Sequence, residues 1–162
     1  MDPSAAIQII VLIILLFGSA FFSSAETSLT TVNKIKMRSL AEEGDKRAKM
    51  VIKITDNSSK MLSAILIGNN IVNLSASSLT TTIAYKVSDG ATAIAVATGI
   101  ITLLILIFGE ITPKTVATIN SEKLALSYAY PIHFIMVILT PVSFIVNILS
   151  HGILFLLRVD PN

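Results

Sequence analysis

The chain has 162 residues, of which 53% are hydrophobic and only 14% charged, with a mean hydropathy of +0.80. Soluble domains carry about a quarter charged residues, so this is a membrane composition, long enough for three or four spans. Cysteine is absent, which excludes disulfides, zinc–thiolate centres and cysteine nucleophiles. The net charge of +2 is small and its basic residues are unevenly placed, a pattern that reports orientation across a bilayer rather than nucleic-acid binding.

Residues 3–25 carry no charge. A hydrocarbon core of about 30 Å needs about 20 helical residues, so this run predicts a first span over residues 4–26. Ser23, Ser24 and Ala25 resemble a signal-peptide cleavage site. However, the chain opens Met1-Asp2-Pro3 rather than with basic residues, which favours a retained helix. Residues 26–60 then hold 8 of the 12 basic residues, interspersed with Glu42, Glu43, Asp45 and Asp56. One or two short amphipathic surface helices, broken near Gly44, fit that pattern. The positive-inside rule makes this loop cytoplasmic, which sets the N-terminus outside.

A second span is predicted over residues 61–85, a third over 90–112, with a short polar turn at 86–89 between them. Residues 124–157 have no formal charge, but Pro131 and Pro141 cut them into pieces shorter than a span, and His133 and Asn147 are polar. Composition leaves two readings open there: a kinked fourth span, or bent helices lying along the inner interface as a belt. His133 and His151 are read as interfacial or packing residues. Residues 158–162 read as the start of a linker. The fold class is an all-α membrane protein.

The chemistry concentrates where the third apolar run ends, at Gly109, Glu110 and Pro113. A carboxylate against a membrane-length run is costly unless paired. Proline lacks an N–H, so in a regular helix the carbonyl four residues back, that of Gly109, loses its donor. Ser23, Ser24 and Ser28 lie at the inner end of span one, and Ser24 and Ser28 share a face. Asn69, Asn70 and Asn73 lie roughly 12–18 Å into span two. Hydroxyls, amide oxygens, a carbonyl and one carboxylate thus gather in the cytoplasmic half of one bundle. This hard-oxygen set suits Mg²⁺, Ca²⁺ or alkali ions and not zinc or copper.

Each residue also has a plainer role. Serines bond back to their own helix, asparagines join helices, and Glu110 is placed to pair with Lys114, four residues on. Convergence of three patches at one depth carries the ion-site reading. An intramembrane enzyme is not indicated, because the chain offers no paired carboxylates, His-rich metal motif or nucleophile–base constellation.

Three stretches carry a family resemblance: Phe21-Phe22-Ser23-Ser24-Ala25-Glu26-Thr27, Ile67-Gly68-Asn69-Asn70-Ile71-Val72-Asn73 and Phe108-Gly109-Glu110-Ile111-Thr112-Pro113-Lys114. They resemble the signature stretches of the DUF21 transmembrane domain of the CNNM/CorC magnesium transporters, in the same order and over nearly the whole chain. The resemblance implies a homodimer in the cell membrane. Each subunit would have three spans plus a juxtamembrane belt over residues 124–157 and a cytoplasmic C-terminus. Cytosolic CBS domains that bind ATP would follow in the full-length chain. It implies Mg²⁺ export, coupled to Na⁺. The implied metal ligands are a serine among Ser23, Ser24 and Ser28, an asparagine among Asn70 and Asn73, the Gly109 carbonyl and Glu110. Gly68, Asn69 and Pro113 would support the site structurally. A non-conducting dimeric module regulating a separate Mg²⁺ channel is the alternative.

Overall fold

The computed structural model describes residues 3–87 and 90–156, all of its regular structure helical. Residues 88–89 of the predicted turn, residues 157–162 with the predicted linker, and the side chains of Asn147 and His151 lie outside the described residues. The helices are α1 (Pro3–Thr31), α2 (Lys34–Glu42), α3 (Lys46–Thr55), α4 (Ser58–Val87), α5 (Ala91–Leu104), α6 (Thr112–Ile119) and α7 (Ser121–Leu156). A π-helical segment, Ile105–Ile111, joins α5 to α6. Four stretches are long and apolar enough to cross a membrane: Ala6–Thr31, Ser58–Lys86, Ala91–Ile119 and Ser121–Val142.

The basic loop forms a helical hairpin whose ends follow local chemistry. The Asn33 side chain caps α2 by accepting from the Ile35 and Lys36 N–H groups. Gly44 ends it at φ +100°, a left-handed conformation that a Cβ disfavours. Asp45 then caps α3, accepting from the Arg47 and Ala48 N–H groups at 2.7 and 3.3 Å.

The sequence-based division of residues 124–157 at its prolines is not what forms. Residues 121–156 make one continuous helix with Pro131 and Pro141 inside it. Both prolines face outward, so their rings meet no neighbouring element, and each loss of an N–H stays local. The inward face of α7, formed by Ala125, Ala129, Ile132 and Met136, is fixed by packing on Leu29, Val32, Met37, Ile54, Met61 and Ile65.

That cluster is the main apolar core, and its place is informative. It lies where the C-terminal end of α1, the N-terminal end of α4, the α2–α3 hairpin and α7 meet, at the charged end of the bundle. The remaining lengths of α1, α4 and α5 turn large apolar side chains outward, Phe17, Leu74 and Leu103 among them. No residue of α5 is buried within the chain. Such surfaces are stable in hydrocarbon and costly in water.

One prediction follows for the hairpin. Hydrogen bonding from the Arg47 N–H, outweighing the small opposing effect of desolvation, holds the Asp45 carboxyl below its ordinary value of 3.8. A depressed folded value means that the carboxylate's contribution is complete above pH 3.8 and is lost as pH falls through the lower folded value. Asp45→Asn keeps a capping acceptor and removes the titration. Its α3 amide protection, followed by hydrogen exchange against pH, is therefore expected to stay flat where the parent's declines.

Candidate functional site

Two glycines set how closely the spans approach. A Cβ at Gly68 would lie 2.4 Å from Phe22 Cζ, so α4 meets the α1 ring edge-on through bare backbone. A Cβ at Gly109 would lie 2.9 Å from Ser19 Oγ and 3.3 Å from Leu16 Cδ1, bringing the π-helical segment onto α1. Val72 lies against Gly18, so α1 and α4 run antiparallel. In that register Asn73 is level with Phe17 and Asn69 with Phe21. Gly109 sits at the level of Ser19, between them. Ser23 lies one turn further in. The whole set spans about 9 Å along the axis at the usual helical rise.

Three side-chain oxygens in this zone are buried and have no protein hydrogen-bond partner: Ser23 Oγ, Asn69 Oδ1 and Asn73 Oδ1. Each such atom costs about 1–3 kcal/mol relative to a satisfied one. Native folds keep few of them without a reason such as a bound ion or water. Three in one short stretch of two facing helices form a cluster of unused acceptors.

The third element adds an irregularity. The Thr112 N–H bonds to the Ile107 carbonyl, five residues back, so the helix is over-wide just before Pro113. Pro113 has no N–H to give, and so closes neither the five-residue bond to Phe108 nor the four-residue bond to Gly109. The Gly109 carbonyl is not bare, as the simple proline argument predicts. It accepts from Ser19 Oγ at 3.3 Å, in a buried contact. A carbonyl oxygen has two lone pairs, so one remains for another partner.

The other predicted residues are placed differently. Ser24 Oγ donates to the Ala20 carbonyl at 2.7 Å and lies 2.9 Å from the Tyr128 hydroxyl, which supplies the proton for that bond. Ser28 Oγ donates to the Ala25 carbonyl at 3.2 Å. Both hydroxyls are thus occupied locally. Asn70 faces outward. Glu110 is partly exposed and pairs with Lys114 at 3.3 Å, and Lys114 also reaches Glu26 at 3.5 Å.

Two further polar residues beside these were not singled out from the sequence. Ser19 is buried and sits four residues before Ser23, on the same helix face, a spacing that would have marked it. Glu26 stands three residues past Ser23 and shares a lysine with Glu110, which puts two carboxylates around one ammonium. No cluster of three or more His, Asp or Glu side chains with metal-binding geometry occurs among the described residues. Any ion here would be held mainly by neutral oxygens.

Comparison with known proteins places the arrangement. The sequence model described as the cyclin M transmembrane N-terminal domain matches residues 10–162. A UPF0053 protein of Haemophilus influenzae is 39% identical over 145 residues, 90% of this chain and 34% of that protein. A chloroplastic DUF21 domain-containing protein of Arabidopsis thaliana is 40% identical over 150 residues, 93% of this chain and 23% of that protein. A more distant relative, 26% identical over 94% of this chain and 38% of its own length, is the polyamine export protein of Haemophilus influenzae. The chain thus spans between 23% and 38% of the length of these relatives.

The close approach at Gly68 is directly testable. Gly68→Ala must displace the Phe22 ring, and overpacking of this kind costs about 1–3 kcal/mol. A lower thermal midpoint in detergent is expected. The double change Gly68→Ala with Phe22→Leu, which removes the obstructing ring, should recover most of it.

Proposed function

The chain belongs to the cyclin M (CNNM) transmembrane-domain family, and from that premise we propose that it forms the membrane part of a Mg²⁺ transporter. The supporting observation is the set of three buried, unpartnered oxygens, Ser23 Oγ, Asn69 Oδ1 and Asn73 Oδ1. The Gly109 carbonyl, with a lone pair to spare, stands at the level of Ser19, one turn from Ser23. These would contact the ion directly. Glu110 stands at the inner mouth as the one nearby formal anion on that helix. Mg²⁺ favours hard oxygens and sheds water reluctantly, so this set would replace part of its hydration shell. Na⁺ would compete for the same oxygens, which supplies a physical basis for coupling and for export driven by Na⁺ entry.

The proposed architecture has three spans, with α7 as a belt on the cytoplasmic side and the N-terminus outside. Contacts along α7 support the belt. Glu122 pairs with Lys36 and Tyr128 with Ser24. Further along, Met136 and Val137 still line a cavity with Lys53, Asn57 and Lys60. A helix rising straight into the bilayer would have advanced about 22 Å between Ser121 and Met136, far past those lysines. The functional unit is read as a homodimer, and α5, which nothing in its own chain buries, offers surface for the contact. In the full-length protein the C-terminus would lead to cytosolic CBS domains.

The test uses purified protein in liposomes. The parent should move Mg²⁺. Ser23→Ala and Asn73→Ala should each weaken Mg²⁺ binding by about 10- to 100-fold, the loss of one oxygen to a charged partner. Ser28→Ala, whose hydroxyl is held by the Ala25 carbonyl, should bind nearly as the parent does. Unchanged binding and flux in both site variants would remove the ion-site reading. Flux absent from the parent but restored to a separate channel on co-reconstitution would instead establish the regulatory module. Including a polyamine as competitor separates an organic polycation from Mg²⁺ as cargo.

A further inference from the structure

On the cytoplasmic side, away from the ion site, α3, α4 and α7 enclose a cavity of about 130 Å³, close to the liquid volume of four waters. Its polar rim is Lys53, Asn57, Lys60 and His133, and its floor includes Ile54 and Met136. Lys53 and Lys60 belong to no salt bridge formed among the described residues, whereas Lys36, Arg47 and Lys114 each have an acidic partner. Two unpaired ammonium groups and an imidazole therefore face one small cavity with no carboxylate in its lining.

The surface that leads away from it is apolar. Tyr130, Phe134, Val137, Ile138 and Phe144 are all exposed on α7. An amphipathic combination of this kind, cations at one level and bare hydrocarbon beside them, complements one chemical class. We propose that the cavity binds the phosphate of an anionic glycerophospholipid of the cytoplasmic leaflet, with its acyl chains lying along the outer face of α7. Lys53 and Lys60 supply the charge and Asn57 a neutral donor. Met136 and Ile54 receive the glycerol end. Basic groups just cytoplasmic of a span commonly draw anionic lipid, and here the cavity gives that attraction a fixed place. This inference rests on α7 lying along the inner membrane surface.

The test is native mass spectrometry of the intact protein, delipidated in neutral detergent and offered phosphatidylglycerol, phosphatidylcholine or inorganic phosphate. The parent should retain phosphatidylglycerol over phosphatidylcholine. Lys53→Gln with Lys60→Gln should lower that retention by about tenfold or more. Lys46→Gln with Lys49→Gln, on the same helix but outside the cavity, should not. Equal loss in both double variants would mean diffuse charge and overturn the site, as would no loss in either. Full displacement of the lipid by inorganic phosphate would identify a free-anion site and also overturn it. Because the chain has no cysteine, a single spin label at Val137→Cys reports depth in the same lipids. A shallow label with no lipid retained defeats this inference alone, and a label at the bilayer midplane defeats it together with the belt.

Discussion

A buried polar atom in a low-dielectric medium must find a partner, and most of this fold arranges that every backbone group does. Long helices satisfy their own ladders. Threonine and serine hydroxyls turn back to carbonyls one turn earlier along α1, α4, α6 and α7. Against that background, the few atoms left over stand out. Among the described residues, the buried side-chain oxygens without a partner lie on α1 and α4. A membrane protein keeps such atoms only where something transient takes them up or where water reaches them.

The way the helices meet allows this. Gly68 receives the edge of the Phe22 ring on bare backbone, and Gly109 comes close enough to α1 for the short Ser19 side chain to reach its carbonyl. The apolar core does a different job. It sits at the charged end, clamping the α2–α3 hairpin and α7 to the adjoining ends of α1 and α4, and leaves the remaining lengths of α1, α4 and α5 with few buried large side chains. A bundle anchored at one end and lightly packed along its length is suited to small changes of helix spacing around a site.

Much of this was legible in the sequence. The uncharged runs located the long helices, and Asn33, Gly44 and Asp45 located the hairpin, because capping and left-handed turns depend on single residues. Depth along the spans brought the asparagines and Ser23 to neighbouring levels, with Asn70 rather than Asn69 read as the inward one. What escaped has physical causes. A π-helical turn leaves little composition signal beyond the proline that follows it, which marks a lost donor but not how the helix widens to meet it. Which of two adjacent asparagines faces inward depends on helix rotation, and one residue turns a side chain by about 100°; Asn69 proved inward and Asn70 outward. Proline content suggested breaks in α7, but packing on one face overrode a local loss on the other.

Lys114 has a consequence of its own. Its ammonium lies 3.3 Å from Glu110 and 3.5 Å from Glu26, so one tethered cation is shared between two carboxylates. Any second cation approaching Glu110 would contend with that resident charge, because two positive groups crowded onto one carboxylate repel. Loss of either acid would leave the ammonium anchored by the other, so this charge carries its own spare anchor.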